Sequence, residues 1–104
     1  MTHRLAVYGT LAPGRENHHQ LDGLTGDWRA GHVRGAVTIL PSGYPGLLPD
    51  PTGPMVAVQV FTSPDLPRHW ARLDAFEGPD YARRPITVDL GGETVEAQVY
   101  VAVR

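Results

Sequence analysis

The chain has 104 residues, nine cationic side chains against eleven acidic ones, a net charge of -2, and neither Cys nor Lys. A chain of this length is expected to make one domain, residues 1–104, with a single core and room for one pocket. Without Cys there is no disulfide, thiolate nucleophile or Cys-ligated metal, and without Lys no Schiff base, so Lys-dependent cofactor chemistry is excluded.

Charge and hydropathy narrow the partners. All nine cations are Arg, scattered apart from the Arg83-Arg84 pair, so no basic stripe meets a phosphate backbone and nucleic acid is not an expected partner. The opening MTHRLAVYGT lacks an apolar signal-like core, and no run approaches the roughly 18 apolar residues of a membrane helix. A membrane partner is therefore not expected, and a reduced cytoplasm is the expected location.

In chain order, Arg4 to Tyr8 predicts a short apolar strand, and residues 15 to 23 (RENHHQLDG) can hold one or two helical turns before Gly23. From Val33 to Leu40, Val33, Gly35, Val37 and Ile39 alternate with Arg34, Ala36, Thr38 and Leu40, the period of a half-buried strand. Met55 to Phe61 alternates in the same way. Between these two strands PSGYPGLLPDPTGP concentrates five of the ten prolines, which blocks helix and central strand and predicts a loop that pinches at most a short strand at Gly46 to Leu48. RRPITVDL and ETVEAQVYVAVR alternate too, and Gly91-Gly92 between them predicts an antiparallel hairpin with a two-residue turn.

The one strong helix is LPRHWARLDAFEG, residues 66 to 78, with Ser63-Pro64-Asp65 offering a start and Gly78-Pro79 a stop. At about 100° per residue, Leu66, Trp70, Leu73 and Glu77 share one face. A carboxyl on an apolar stripe at the negative end of a helix is pushed up in pKa toward neutrality, as a general acid-base at pH 7 requires. A helix ending at Phe76 would instead turn Glu77 to water, and the pattern alone does not choose.

VYGTLAPG runs an apolar strand into Gly-Thr-Leu and a Pro-Gly turn. This is either a plain tight turn or a small nest of backbone N–H groups suited to a carboxylate or a developing oxyanion. Gly9 and Gly14 have phosphate-loop spacing, but Arg15-Glu16 stand where that loop needs Lys and Ser or Thr, which excludes nucleotide binding. The five His residues show no HxxxH or HExxH spacing, so no metal site is expected, and neither Ser42 nor Ser63 sits in a GxSxG elbow.

Tyr8-Gly9-Thr10-Leu11 with Gly14 and Asn17-His18, then Tyr44-Pro45-Gly46-Leu47, then LDAFEGPDYARR from Leu73 to Arg84 together resemble the γ-glutamylcyclotransferase-like family, which includes γ-glutamylamine cyclotransferases and AIG2-like proteins. The resemblance covers nearly the whole chain. It implies an α+β fold, a small mixed β-barrel of about five to six strands flanked by one main helix and short helical turns, with a pocket at one end. It also implies a small-molecule γ-glutamyl substrate whose α-amine attacks its own γ-carbonyl, releasing 5-oxoproline and a free amine without metal or cofactor.

Carried over by position, Tyr8, Gly9, Thr10 and Leu11 would hold the glutamyl moiety, largely through main-chain N–H groups, and Glu77 would be the general acid-base. Tyr44, Gly46 and Tyr81 would be pocket walls, or else an ordinary loop and an ordinary core Tyr. Ala12 stands where many relatives carry Lys or Arg. The same residues would serve a non-catalytic small-ligand binder, or an enzyme that removes a γ-glutamyl protecting group in a biosynthetic pathway. Oligomeric state is left open.

Overall fold

The structure, a computed structural model, describes residues 3–103. Its elements are β1 (Arg4–Val7), a 3₁₀ turn (His18–Leu21), β2 (Asp27–Ile39), β3 (Pro45–Pro49), β4 (Met55–Thr62), a 3₁₀ turn (Leu66–Arg68), α1 (Trp70–Glu77), β5 (Tyr81–Asp89) and β6 (Thr94–Ala102). Five strands close a barrel. β1 pairs antiparallel with β4, β4 with β2, β2 with β5 at His32↔Asp89, and β5 with β6, which returns parallel to β1 at Leu5↔Gln98 and Ala6↔Val99. β3 is the sixth strand, antiparallel to the far half of β2 and parallel to β6 at Leu47↔Val101. The fold is thus the α+β barrel of five to six strands, with one helix and short turns, that the resemblance implies.

The alternation of three strands serves two cores instead of one core and solvent. Ala6, Val58, Val60, Ala97 and Val99 fill the barrel, while Leu5, Val7, Phe61 and Tyr100, on the opposite faces of the same strands, are covered by Leu66, Trp70 and Leu73 of the helical segment. Successive strand residues point to opposite faces, so β1, β4 and β6 are buried on both. That places α1 directly over the strand that delivers the Gly9 loop.

Closure depends on Gly31. A Cβ there would stand 2.8 Å from Asp89 O and 2.9 Å from side-chain atoms of Val88 and Leu90. Only a residue without a side chain lets β2 come this close to β5 at their single paired position. Pro85 lies in β5 where only β6 pairs, opposite Gln98, a position where its missing N–H costs no ladder bond to β2.

Three local expectations are corrected. The helix does not run from 66 to 78: Arg68 N–H donates to Asp65 O and His69 N–H to Leu66 O, bonds that reach three residues back and make residues 66–68 a 3₁₀ turn, and α1 starts at Trp70 after His69 at φ -114°. The β5–β6 turn has four residues, not two, with Asp89 paired to Thr94, Leu90 N–H donating to Glu93 O, and Gly91 at φ +93°. Val37 and Ile39 are exposed, at 44% and 68%, because β2 parts from β4 after Arg34↔Met55 and continues against β3 alone.

Gly31→Ala should overpack the closure point and cost about 1–3 kcal/mol, a fall in Tm of about 4–8 °C per kcal/mol in a domain of this size. Gly92→Ala, where a Cβ meets nothing within 4 Å, is the control and should leave Tm within a degree or two. Thermal melts of the two variants check this.

Candidate active site

Where β1 and β6 finish and β5 begins, a cavity of about 290 Å³ opens, lined by the 6–11 segment, Tyr44-Pro45, Phe76-Glu77, Asp80-Tyr81 and Tyr100, with Asn17 and Ser42. Its size is at the lower end of small-molecule sites. Of the sequence-nominated residues, Tyr8, Gly9, Thr10, Leu11, Tyr44, Glu77 and Tyr81 share this cavity. Gly46 is not on its wall: it lies in β3, where a Cβ would approach Ala102 Cβ to 2.7 Å and Leu40 Cδ2 to 3.0 Å. Its lack of a side chain lets β3 pack, and its neighbour Pro45 faces the cavity.

The loop after β1 is held by its carbonyls. Gly9 O accepts from Ala12 N–H at 3.1 Å, Thr10 O from Asn17 N–H at 2.9 Å, and Leu11 O contacts His18 Nδ1 at 2.9 Å. A carbonyl only accepts, so His18 carries its proton on Nδ1 in that contact. Asn17 Nδ2 also donates to Thr10 Oγ1 at 2.9 Å, which leaves the Thr10 hydroxyl hydrogen available. Three successive carbonyls are therefore engaged by protein partners. Among the described residues the Gly9, Thr10 and Leu11 N–H groups have no acceptor. Unsatisfied amides side by side at a strand end are left able to receive an acceptor.

The tyrosines are struts. Tyr8 Oη donates to Tyr100 O at 2.5 Å and accepts from Leu47 N–H at 3.0 Å, joining β1, β6 and β3. Burial pushes its pKa far up, the Leu47 N–H opposes this, and the charges of Tyr81 and Glu77 add to the rise. Tyr81 Oη donates to Pro45 O at 2.6 Å, which pins the Tyr44-Pro45 wall to β5; burial and then the Glu77 charge raise its pKa. Tyr100 Oη donates to Asp74 Oδ1 at 2.7 Å.

Glu77 ends α1, and Gly78 follows at φ +81° and ψ -171°, an extended positive-φ geometry that glycine adopts without a Cβ penalty and that stops the helix. Burial raises its carboxyl from the ordinary 4.5 to about 7. One turn earlier Asp74 receives Arg83 Nε at 2.9 Å, Arg83 Nη2 at 3.3 Å and the Tyr100 hydroxyl. Burial pushes the Asp74 pKa up, but these hydrogen bonds and the Arg83 charge outweigh it and hold the carboxyl below its ordinary value. The two carboxyls of one short helix are thus driven apart, Asp74 ionised and structural, Glu77 poised between its two forms. That separation is how acid-base roles are assigned in one site.

Tyr100, Phe76, Asn17 and Ser42 were not nominated from the sequence. Phe76 adjoins Glu77 and Ser42 is two residues from Tyr44, so proximity was a usable signal for both. Tyr100 sits in an alternating strand and reads as core; its hydroxyl bond to a residue 26 positions away leaves no local trace.

Because the folded protein holds the Glu77 proton more tightly than the unfolded chain does, native protein binds more protons between about pH 4.5 and 7, and stability falls as pH rises through that window. The loss amounts to at most about 3 kcal/mol. Glu77→Gln abolishes it. The variant should melt several degrees above the parent at pH 8, and the gap should close at pH 4.5, as checked by melts across that range.

The chain matches the family model for gamma-glutamyl cyclotransferase, AIG2-like, over residues 5–104. No curated protein matches it. Among solved structures, an AIG2-like protein from Mus musculus is 25% identical with a TM-score of 0.76, over 96% of this chain and 76% of that one. A protein from Arabidopsis thaliana is 27% identical with a TM-score of 0.75, over 99% of this chain and 63% of that one. YkqA from Bacillus subtilis, at 23% identity and a TM-score of 0.77 over 99% of this chain and 36% of its own, shares the fold. With a match over the barrel, the Gly9 loop and the helix that carries Glu77, the chain belongs to the gamma-glutamyl cyclotransferase, AIG2-like family.

Proposed function

We propose that the protein is a γ-glutamyl amide cyclotransferase that releases 5-oxoproline and a free amine, with Glu77 as the proton carrier. The observation that carries this reading is a half-buried carboxyl, poised near pH 7, on the wall of the cavity that also holds three acceptor-free amides. A carboxyl poised between its two forms can take a proton from the α-nitrogen of a bound glutamyl group and return one to the departing nitrogen, a task that binding alone does not set.

The reaction joins two ends of one molecule. Folding the glutamyl chain so that its α-nitrogen lies against its γ-carbonyl carbon supplies much of the acceleration, and no nucleophilic side chain is required. Glu77, as carboxylate, removes a proton from the α-nitrogen as that nitrogen bonds to the carbonyl carbon. The C–N bond of the amide then breaks, and Glu77 returns the proton to the departing nitrogen. One proton moves from one nitrogen to the other, and the lactam and the neutral amine leave. The Gly9, Thr10 and Leu11 amides face the negative oxygen, either of the substrate carboxylate or of the tetrahedral intermediate. Tyr8, Tyr81 and Tyr100 hold the walls in register, since their hydroxyls are already committed to protein acceptors.

Incubation with γ-glutamyl amides should yield 5-oxoproline and free amine in equal amounts, measured by chromatography. Glu77→Gln keeps size and removes the proton carrier, and should lower kcat by roughly 100- to 10,000-fold with the fold intact. Hydrolysis to glutamate in place of 5-oxoproline, or full turnover by Glu77→Gln, would contradict the proposal.

In the parent protein kcat/KM should fall about tenfold per pH unit below an apparent pKa near 7, the value to which burial lifts Glu77. A profile flat down to pH 5 would separate the reaction from this carboxyl.

A further inference from the structure

Two of the few exposed large apolar side chains, Tyr44 at 47% and Phe76 at 38%, line the cavity that contains Glu77. Exposed aromatics in a ligand cavity are surface that a ligand can cover. They come from different elements, Phe76 from the last turn of α1 and Tyr44 from the β2–β3 connection, so they are not neighbours by sequence accident. Both are held. Tyr44 O accepts from Leu40 N–H at 2.9 Å, and the next carbonyl, Pro45 O, accepts from Tyr81 Oη at 2.6 Å. Phe76 is fixed by the helix whose Asp74 is bonded to Arg83 and Tyr100.

The charge around this wall is as informative. No Arg or His lines the cavity among the described residues, and the chain has no Lys. Arg83, whose charge acts on Tyr100, is already engaged by Asp74, by Gln98 Oε1 at 3.1 Å and by the face of Trp70 at 4.6 Å. The Gly9, Thr10 and Leu11 amides match one anionic group, that of the glutamyl moiety. A second carboxylate, as on an amino-acid leaving group, would lose its hydration with no cation to receive it and with Glu77 nearby.

We infer that the leaving group this site selects is an amine bearing a flat apolar ring and no carboxylate, seated against Tyr44 and Phe76. The inference rests on the cyclotransferase reading and names its substrate class. The leaving nitrogen must reach Glu77 to receive its proton, so whatever it carries extends into the cavity beyond the glutamyl moiety. There the ring of the amine meets the Tyr44 and Phe76 rings, an arrangement that favours offset or edge-to-face stacking.

The test uses three compounds. γ-Glutamyl-phenethylamide and γ-glutamyl-ethylamide differ only by the ring, and γ-glutamyl-phenylalanine adds only a carboxylate to the first. The phenethylamide should exceed the ethylamide in kcat/KM by about tenfold and γ-glutamyl-phenylalanine by about tenfold or more. Phe76→Ala and Tyr44→Ala should each shrink the ratio of phenethylamide to ethylamide severalfold. Equal values for all three compounds, or a preference for γ-glutamyl-phenylalanine, would overturn the inference while 5-oxoproline release still upholds the cyclotransferase. A ring preference that survives in both alanine variants would overturn the Tyr44 and Phe76 assignment. If none of the three yields 5-oxoproline, the cyclotransferase reading fails by itself; dissociation constants from calorimetry then decide the recognition, the same ranking upholding the aromatic seat and a flat series removing it.

Discussion

Asp74 holds the site together. Its carboxylate takes Arg83 from β5 and the Tyr100 hydroxyl from β6, so an eight-residue helix is tied to two barrel strands one turn before Glu77. The Arg83 pair is partly exposed, 28% and 43% at the side chains, and such a pair contributes about 1 kcal/mol at most. Tyr100 is the stricter demand. At 4% exposure its hydroxyl would cost about 1–3 kcal/mol if left without a partner, and Asp74 is the partner it has. Leu66, Trp70 and Leu73 supply the apolar attachment of this segment, and the Asp74 bonds fix its rotation and with it the aim of Glu77.

From that constraint the rest of the site follows. α1 covers the outer faces of β1 and β6, so the loop leaving β1 emerges beside the end of α1, and its amides share a cavity with Glu77. The Tyr8 hydroxyl, bridging Tyr100 O and Leu47 N–H, carries the same fixation across to β3. The proposed chemistry asks for little more. An intramolecular attack needs a folded substrate, a cradle for one oxygen and a group that carries one proton, and a small barrel without Cys or Lys can provide all three. Keeping a carboxyl half-desolvated works against stability above neutral pH, a conflict expected of a catalytic group and hard to explain for a structural one.

Much of this was legible in the residues because the relevant patterns are local. The strand alternations, the Gly78 stop and the shared face of Leu66, Trp70, Leu73 and Glu77 depend on spacings of two to eleven residues. The proline-rich 41–54 segment likewise marked the connections on either side of β3, but its prolines argued against a central strand, and β3, Pro45–Pro49, runs between β2 and β6. What escaped depends on distant partners. Gly46 looked like part of a loop at the pocket, yet it serves the packing of β3 against Ala102. Val37 and Ile39 kept a buried-strand rhythm on a stretch of β2 that has already left β4. Tyr100 gave no sign that its hydroxyl would reach Asp74, and Asn17 none that its side chain and amide would both return to Thr10. The 3₁₀ turn before α1 left no trace of its own, since Pro67 in the first turn is compatible with either helix type.

The central claim is that burial, not a neighbouring charge, holds the Glu77 carboxyl near neutrality. Direct titration of ¹³C-labelled glutamate carboxyls by NMR, with the resonance assigned by its loss in Glu77→Gln, tests it without reference to any substrate. The account predicts a Glu77 resonance titrating near pH 7, and a Glu77 resonance titrating between pH 4 and 5 would contradict it.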